Sequence, residues 1–213
     1  MERLSKQFVK KNMLSSNISV VKAVEDVSFS LYNGEVLVIA GESGSGKSTI
    51  AKLILGAIDP DSGEIFFEGK KSNDEPNILK KIRMQCQMVY QDPYESINPR
   101  MKVADIISEP LEIHNIGDSL ERKKIILDTL REVKLEPAED IVNKYPHMLS
   151  GGQRQRVVLA RALVLRPKVI IADEPVSMLD VSIRAEILEL MKEMQKKNNI
   201  SFIYITHDLA TAR

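Results

Sequence analysis

The residues best suited to chemistry lie in one short glycine-rich segment. It reads Gly41-Glu42-Ser43-Gly44-Ser45-Gly46-Lys47-Ser48, followed by Thr49, and it fits the pattern G-x-x-x-x-G-K-[ST] at every fixed position. Glycines permit a tight turn whose N–H groups converge on phosphate oxygens, and a helix beginning near Lys47 adds the positive end of its dipole. A plain turn is the alternative, but a turn needs one glycine rather than three and a lysine. The segment therefore predicts a nucleotide-phosphate site, with Lys47 on the β- and γ-phosphates and the Ser48 hydroxyl on Mg²⁺.

Two carboxylates follow an apolar segment further along the chain. Residues 169–172 predict a buried strand, and Asp173-Glu174 end it. A carboxylate at a strand end beside a phosphate loop can hold Mg²⁺, and a second one can accept a proton from an attacking water. We therefore predict that Asp173 is a metal ligand and Glu174 a general base. The alternative is that two acids simply end a strand at the surface.

The elements that must position these residues have an α/β pattern. Residues 36–40 are continuously apolar, which is typical of a parallel strand covered on both faces, and amphipathic segments alternate with such runs. Residues 92–161 differ, with weak strand signals and several helical stretches. We interpret 92–161 as a helical lobe inserted into an α/β core formed by 1–91 and 162–213.

Composition excludes several classes of protein. The 213 residues carry 30 Lys and Arg against 30 Asp and Glu, and zero net charge argues against binding nucleic acid over a broad basic surface. The single cysteine, Cys86, rules out an internal disulfide or a multi-cysteine metal site. The apolar runs are far shorter than the roughly 20 residues that cross a bilayer. If this protein works at a membrane, a partner must hold it there.

A family resemblance begins with a second glycine-containing motif. Leu149-Ser150-Gly151-Gly152-Gln153, followed by Arg154-Gln155-Arg156, resembles the signature of ATP-binding cassette (ABC) ATPases. Ser150 and Gln153 also have the spacing of a helix-capping box. Capping does not explain the two glycines or the two arginines at a positive helix end, whereas an anion bound there would. The resemblance implies that residues 150–153 cap the γ-phosphate held by another cassette.

Further motifs of the family occur in the same order. Gln91 matches the Q-loop glutamine, His207 matches the switch histidine, and Ser177 to Asp180 resembles the D-loop. Phe8 stands where the family often stacks an aromatic ring on adenine, with plain packing as the alternative. The resemblance implies a P-loop NTPase with a mainly parallel core sheet, an N-terminal antiparallel β portion and an inserted helical subdomain. It also implies ATP and Mg²⁺ as cofactors, with Gln91 sensing the metal and the γ-phosphate.

A narrower resemblance concerns the branch of the family. Residues 91–100 and 109–111 look similar to the ATP-binding subunits of oligopeptide and dipeptide importers. This implies a peripheral subunit on the cytoplasmic side of the membrane. Its expected partners are a second ATPase subunit and two transmembrane permease subunits contacted through the helical subdomain, with no nucleic acid. Relatives that import nickel or oligosaccharides leave the cargo open.

Two other functions remain as alternatives. A soluble ABC ATPase acting on nucleic acid or ribosomes commonly carries paired cassettes, a coiled-coil insertion or basic arms, which this sequence does not show. A non-hydrolysing nucleotide-gated module is disfavoured because Glu174 and His207 are present. Because the family continues beyond the position of Arg213 through a helix and further strands, we also expect the chain to be truncated.

Overall fold

A computed structural model describes residues 1–11, 18–72 and 76–207 of the chain. The strands are β1 (Glu2–Lys11), β2 (Ile18–Val27), β3 (Val36–Ala40), β4 (Ser62–Glu64), β5 (Phe66–Phe67), β6 (Lys70–Lys71), β7 (Cys86–Val89), β8 (Val169–Asp173) and β9 (Ser201–Thr206). The helices are α1 (Lys47–Ile54), α2 (Pro76–Gln85), α3 (Pro93–Ser96), α4 (Val103–Ile113), α5 (Ser119–Glu132), α6 (Ala138–Ile141), α7 (Gly151–Leu163) and α8 (Val181–Asn198), with a 3₁₀ turn at Pro146–Met148. The chain divides into two compact units.

The first unit contains the described residues of 1–32, 38–83 and 205–213. In it β1 lies between β2 and β4 and pairs with both in antiparallel fashion. The predicted antiparallel β portion at the N-terminus is therefore confirmed. The core of this unit consists of apolar side chains from β1, β2, one face of α1 and the residue between β4 and β5, namely Leu4, Val24, Ile50, Leu53 and Ile65.

The second unit contains residues 33–37 and 84–204. Here β7 and β8 pair in parallel, with Val89 opposite Ala172. Residues 170–172 of β8 are all buried, as expected for a strand covered on both faces. The sheet that contains these strands has the order β3-β9-β8-β7, and the boundary between the units cuts through β3 and β9.

Helices α4, α5 and α7 pack on one another within the second unit, α6 packs on α5, and Leu159 and Leu163 of α7 are fully buried. An ion pair of 2.8 Å between Glu109 of α4 and Arg161 of α7 adds to this packing. The second unit also contains β7 and β8, so its extent does not test the predicted division at 92 and 161, which stays a prediction. Among the described residues, no helix has the length and apolar character needed to span a bilayer.

Candidate nucleotide-binding site

The glycine-rich loop joins β3 to α1, as the sequence predicted. Helix α1 begins at Lys47, its N-cap is Gly46, and no side chain caps it. The first N–H groups of a helix have no partner inside the helix, so this start offers its donors and its dipole to an anion. The local structure of residues 41–48 therefore suits a phosphate group.

Two glycines of the loop have left-handed backbones for different reasons. Gly46 has a φ of 92°, and a Cβ there would lie 1.9 Å from the carbonyl oxygen of Ala23 in β2. Gly44 has a φ of 80°, but a Cβ there would have no neighbour within 4 Å. The close approach of β2 thus excludes a side chain at Gly46, whereas Gly44 is required only by its backbone conformation.

Lys47 is held inside the loop rather than projecting from it. Its side chain is 8% exposed, and Nζ donates hydrogen bonds to the carbonyl oxygens of Gly41 at 2.8 Å and Glu42 at 2.7 Å. A third contact reaches the Ser45 hydroxyl at 3.5 Å. An ammonium group has three donors and no acceptor, so a bound phosphate would replace carbonyl partners with charged oxygens. Ser48 follows on the first turn of α1 and is exposed.

The end of β9 is joined to the start of this loop in the first unit. The Gly41 N–H donates to the carbonyl oxygen of Thr206 at 3.3 Å. His207 comes next in the chain and is exposed. The backbone therefore brings the segment with the predicted switch histidine to the loop, whereas Asp208 lies outside the described residues.

Two other predicted site residues meet at one edge of the sheet in the second unit. Asp173 is the last residue of β8, and Gln91 follows β7 by two residues. Because Val89 lies opposite Ala172 in a parallel pair, both residues are at the carboxyl ends of neighbouring strands. A carboxylate and an amide oxygen are hard oxygen ligands of the kind that Mg²⁺ prefers. The donor set therefore fits this metal.

The predicted general base has a strained backbone. Glu174 is half-buried, and its φ of 47° is in the left-handed region that non-glycine residues avoid. Both the N–H and the hydroxyl of Ser177 donate to the Glu174 carbonyl, at 3.2 and 3.0 Å. Such strain costs on the order of 1–3 kcal/mol and is concentrated at functional sites. Seven other non-glycine residues of the described chain also have a positive φ, so this conformation assigns no role to Glu174 by itself, and its role as general base stays a prediction.

The signature motif forms the start of α7 with both bonds of the predicted capping box. The Gln153 N–H donates to Ser150 Oγ at 3.2 Å, and the Ser150 N–H donates to Gln153 Oε1 at 3.0 Å. A Cβ on Gly152 would lie 2.8 Å from Cγ2 of Ile183 in α8, whereas a Cβ on Gly151 would make an ordinary 3.7 Å contact with Leu179. Packing within one chain therefore accounts for Gly152, and the role of residues 150–153 toward a γ-phosphate stays a prediction.

The two arginines that follow the signature have partners within their own unit, and an anion at this helix start stays a prediction. Arg156 donates to the carbonyl oxygen of Val133 at 3.0 Å and to Glu186 at 3.0 Å. Arg154 donates to the carbonyl oxygen of Pro146 at 3.3 Å and to the hydroxyl of Tyr94. Both guanidinium groups are therefore engaged by residues of their own unit.

Sequence reasoning missed one residue that shapes the predicted D-loop. Arg184 of α8 donates to the carbonyl oxygens of Leu179 at 2.7 Å and Ser177 at 3.1 Å. These bonds fix the turn that contains Met178, whose side chain is 61% exposed. An arginine one turn into a helix carries no sequence signal of such a bond, so only the structure reveals it.

Phe8, the predicted adenine-stacking residue, lies on β1 opposite Val21 of β2. Its side chain is 41% exposed, and the Lys6 ammonium lies 5.9 Å from the centre of its ring. The exposed ring is compatible with stacking, which stays a prediction.

Comparison with known proteins identifies the family. The ABC transporter family model matches residues 24–177. The chain belongs to the ABC transporter family. It is 46% identical over 211 residues to the probable peptide ABC transporter ATP-binding protein y4tS of Sinorhizobium fredii, covering 98% of this chain and 59% of that protein. It is 44% identical over 207 residues to the oligopeptide transport ATP-binding protein AppF of Bacillus subtilis, covering 96% of this chain and 62% of that protein.

A solved structure supports the same assignment for the fold. The ATP-binding cassette MJ0796, in a dimeric post-hydrolysis state bound to ADP and Pi, matches with a TM-score of 0.82 and 32% identity over 99% of this chain and 88% of that chain. The predicted α/β cassette fold is thereby confirmed. The chain spans about three fifths of the length of the two curated relatives.

Proposed function

We propose that this cassette binds and hydrolyses ATP and thereby powers an importer of oligopeptides or dipeptides. The observation that carries the proposal is the glycine loop, which presents an uncapped helix start and a buried lysine to one anion position. The two curated relatives, which are named for peptide transport, support the choice of cargo.

The residues of this chain divide the chemical work as follows. Lys47 exchanges its loop carbonyls for β- and γ-phosphate oxygens, and Ser48, Gln91 and Asp173 hold Mg²⁺. When bound, Mg²⁺ neutralises charge on the phosphates. Glu174 accepts a proton from the attacking water, and His207 contacts the γ-phosphate.

The proposed site is completed by a second ATPase subunit. Residues 150–153 of one cassette then face the loop of the other across ATP. The dimeric solved cassette bound to ADP and Pi is the support for such an arrangement. The helical lobe contacts two transmembrane permease subunits, which hold the protein peripherally on the cytoplasmic side of the membrane.

The alternative is a soluble cassette ATPase acting on nucleic acid or ribosomes, and the names of the peptide-transport relatives weigh against it. The test is affinity purification of the tagged protein from its own cells after mild detergent extraction. We expect permease subunits and Mg-ATP hydrolysis in the purified fraction. Recovery of the protein with ribosomes or nucleic acid and without membrane proteins would overturn the importer assignment. A preparation that contains permease subunits but does not hydrolyse ATP would overturn the assignment as an ATPase.

A further inference from the structure

One arginine side chain of the signature helix contacts two other parts of the second unit. The guanidinium carbon of Arg154 lies 4.1 Å from the centre of the Tyr94 ring, and Nη2 donates to the hydroxyl of the same residue. Nη1 donates to the carbonyl oxygen of Pro146 at 3.3 Å. Arg154 therefore links α7 both to α3 and to the 3₁₀ turn that precedes the signature.

The backbone of Tyr94 is fixed by the hydrogen bonds of the turn in which it lies. Asp92 caps α3, and its Oδ1 accepts a hydrogen bond from the Tyr94 N–H at 2.7 Å. The Ser96 N–H returns to the Asp92 carbonyl at 3.1 Å. Gln91 immediately precedes this capped turn, so the turn connects Gln91 to the backbone of Tyr94.

Arg154 is equally well connected to the signature residues. Its N–H donates to the carbonyl oxygen of Ser150 at 2.9 Å, in the same turn in which Ser150 and Gln153 form the capping box. Nε of Arg154 is buried and makes no hydrogen bond within the described part of the chain. Within the described part of the chain, the guanidinium group thus has hydrogen-bond acceptors only on Tyr94 and Pro146. Loss of the tyrosine side chain leaves it the Pro146 carbonyl.

We propose that Arg154 and Tyr94 form a positioning pair that fixes the start of α7 to the segment after Gln91. The pair acts through Ser150 and Gln91, the residues that the proposed function places at ATP, and it is not itself catalytic. The consequence for hydrolysis rests on that proposed function, whereas the mechanical link between α3 and α7 does not.

The link is tested first by amide hydrogen exchange on the purified protein. Tyr94→Leu removes the ring and the hydroxyl, whereas Tyr94→Phe keeps the ring. We expect Tyr94→Leu to speed exchange in the first turn of α7 about two- to fivefold, with Tyr94→Phe closer to the parent. Arg131→Leu on α5 is the matched control for the loss of an arginine in Arg154→Leu, since Arg131 pairs with the carboxylates of Asp128 and Glu139. It should leave α7 exchange unchanged.

The functional consequence is tested by steady-state ATPase measurements. We expect Tyr94→Leu and Arg154→Leu each to lower kcat about two- to fivefold with little change in KM, because the phosphate loop is untouched. The double variant should be no slower than either single variant. Parent-like exchange in α7 with Tyr94→Leu would overturn the link whatever the activity, and additive effects on kcat would overturn the pairing. A parent protein without ATPase activity would instead count against the proposed function, and exchange would still decide the link.

Discussion

Substitution of Gly46 by alanine tests whether glycine is required in the phosphate loop by a steric collision as well as by its backbone conformation. At Gly46 the added carbon would lie 1.9 Å from the carbonyl oxygen of Ala23, whereas at Gly44 it would meet nothing within 4 Å. Both positions have left-handed backbones, with φ of 92° and 80°. Gly44→Ala is therefore the matched control, since it carries the conformational cost without the collision.

The expected losses of stability follow from two contributions, the left-handed backbone conformation and the collision with Ala23. An alanine in the left-handed region costs about 1–2 kcal/mol, partly offset by about 0.4–1 kcal/mol from the lower entropy of the unfolded chain. Gly44→Ala should therefore lose on the order of 1 kcal/mol or less. A carbon and an oxygen come no closer than about 3.3 Å, so Gly46→Ala must also move β2 and the start of α1 apart by roughly 1.4 Å. Overpacking of this kind costs about 1–3 kcal/mol more.

The assay is thermal unfolding of both variants with and without Mg-ATP. Without nucleotide we expect Gly46→Ala to melt roughly 2–12 °C below Gly44→Ala, from 2–4 °C per kcal/mol in a chain of this size. ATP should also raise its melting temperature less than it does for the parent, because the helix start that binds phosphate has moved. Equal melting temperatures of the two alanine variants would show that the approach of Ala23 imposes no constraint on residue 46.

Four further substitutions test the site, the signature motif and the first unit. Lys47→Ala should weaken Mg-ATP binding severely, because it removes the side-chain cation of the loop, and parent-like affinity in a fluorescence titration would contradict this. Glu174→Gln should bind ATP without hydrolysing it and shift to a dimer in size-exclusion chromatography with Mg-ATP but not ADP. Adding Ser150→Arg should abolish that shift. Hydrogen bonds from the Lys6 side chain and the Gln7 N–H lower the pKa of Asp61. Asp61→Asn should therefore cost stability at neutral pH, and the loss should become smaller as the pH falls through the folded-state pKa of Asp61. Equal losses of stability at pH 7 and pH 2 would contradict this.

The motifs of the site were predictable from sequence because each depends on local chemistry. The loop of residues 41–48, the strand ending in Asp173 and the capping box of Ser150 all appear where their patterns place them. In these cases neighbours in the chain determine the structure.

Contacts distant in sequence were not predictable. The partners of Arg154 and Arg156 lie 60 and 30 residues away in the chain, at Tyr94 and Glu186, and a pattern of adjacent residues favoured an anion instead. The strained φ of Glu174 depends on how β8 leads into the following turn, which residue types do not encode. Tertiary packing thus decides the roles of residues whose local chemistry allows several.

Gln155 offers the sharpest test of how polar groups are satisfied around the signature helix. Its side chain is fully buried, and neither Oε1 nor Nε2 makes a hydrogen bond within the described residues. A buried unpaired polar group costs about 1–3 kcal/mol, so Gln155→Met, of similar shape, should melt at or above the parent temperature. Thr129 is the matched control, because it is equally buried but its hydroxyl donates to the Ile125 carbonyl at 2.7 Å. Thr129→Val should lower stability by about 1 kcal/mol. If Gln155→Met instead lowers the melting temperature more than Thr129→Val does, the Gln155 amide has hydrogen-bond partners in solution, and those bonds stabilise α7.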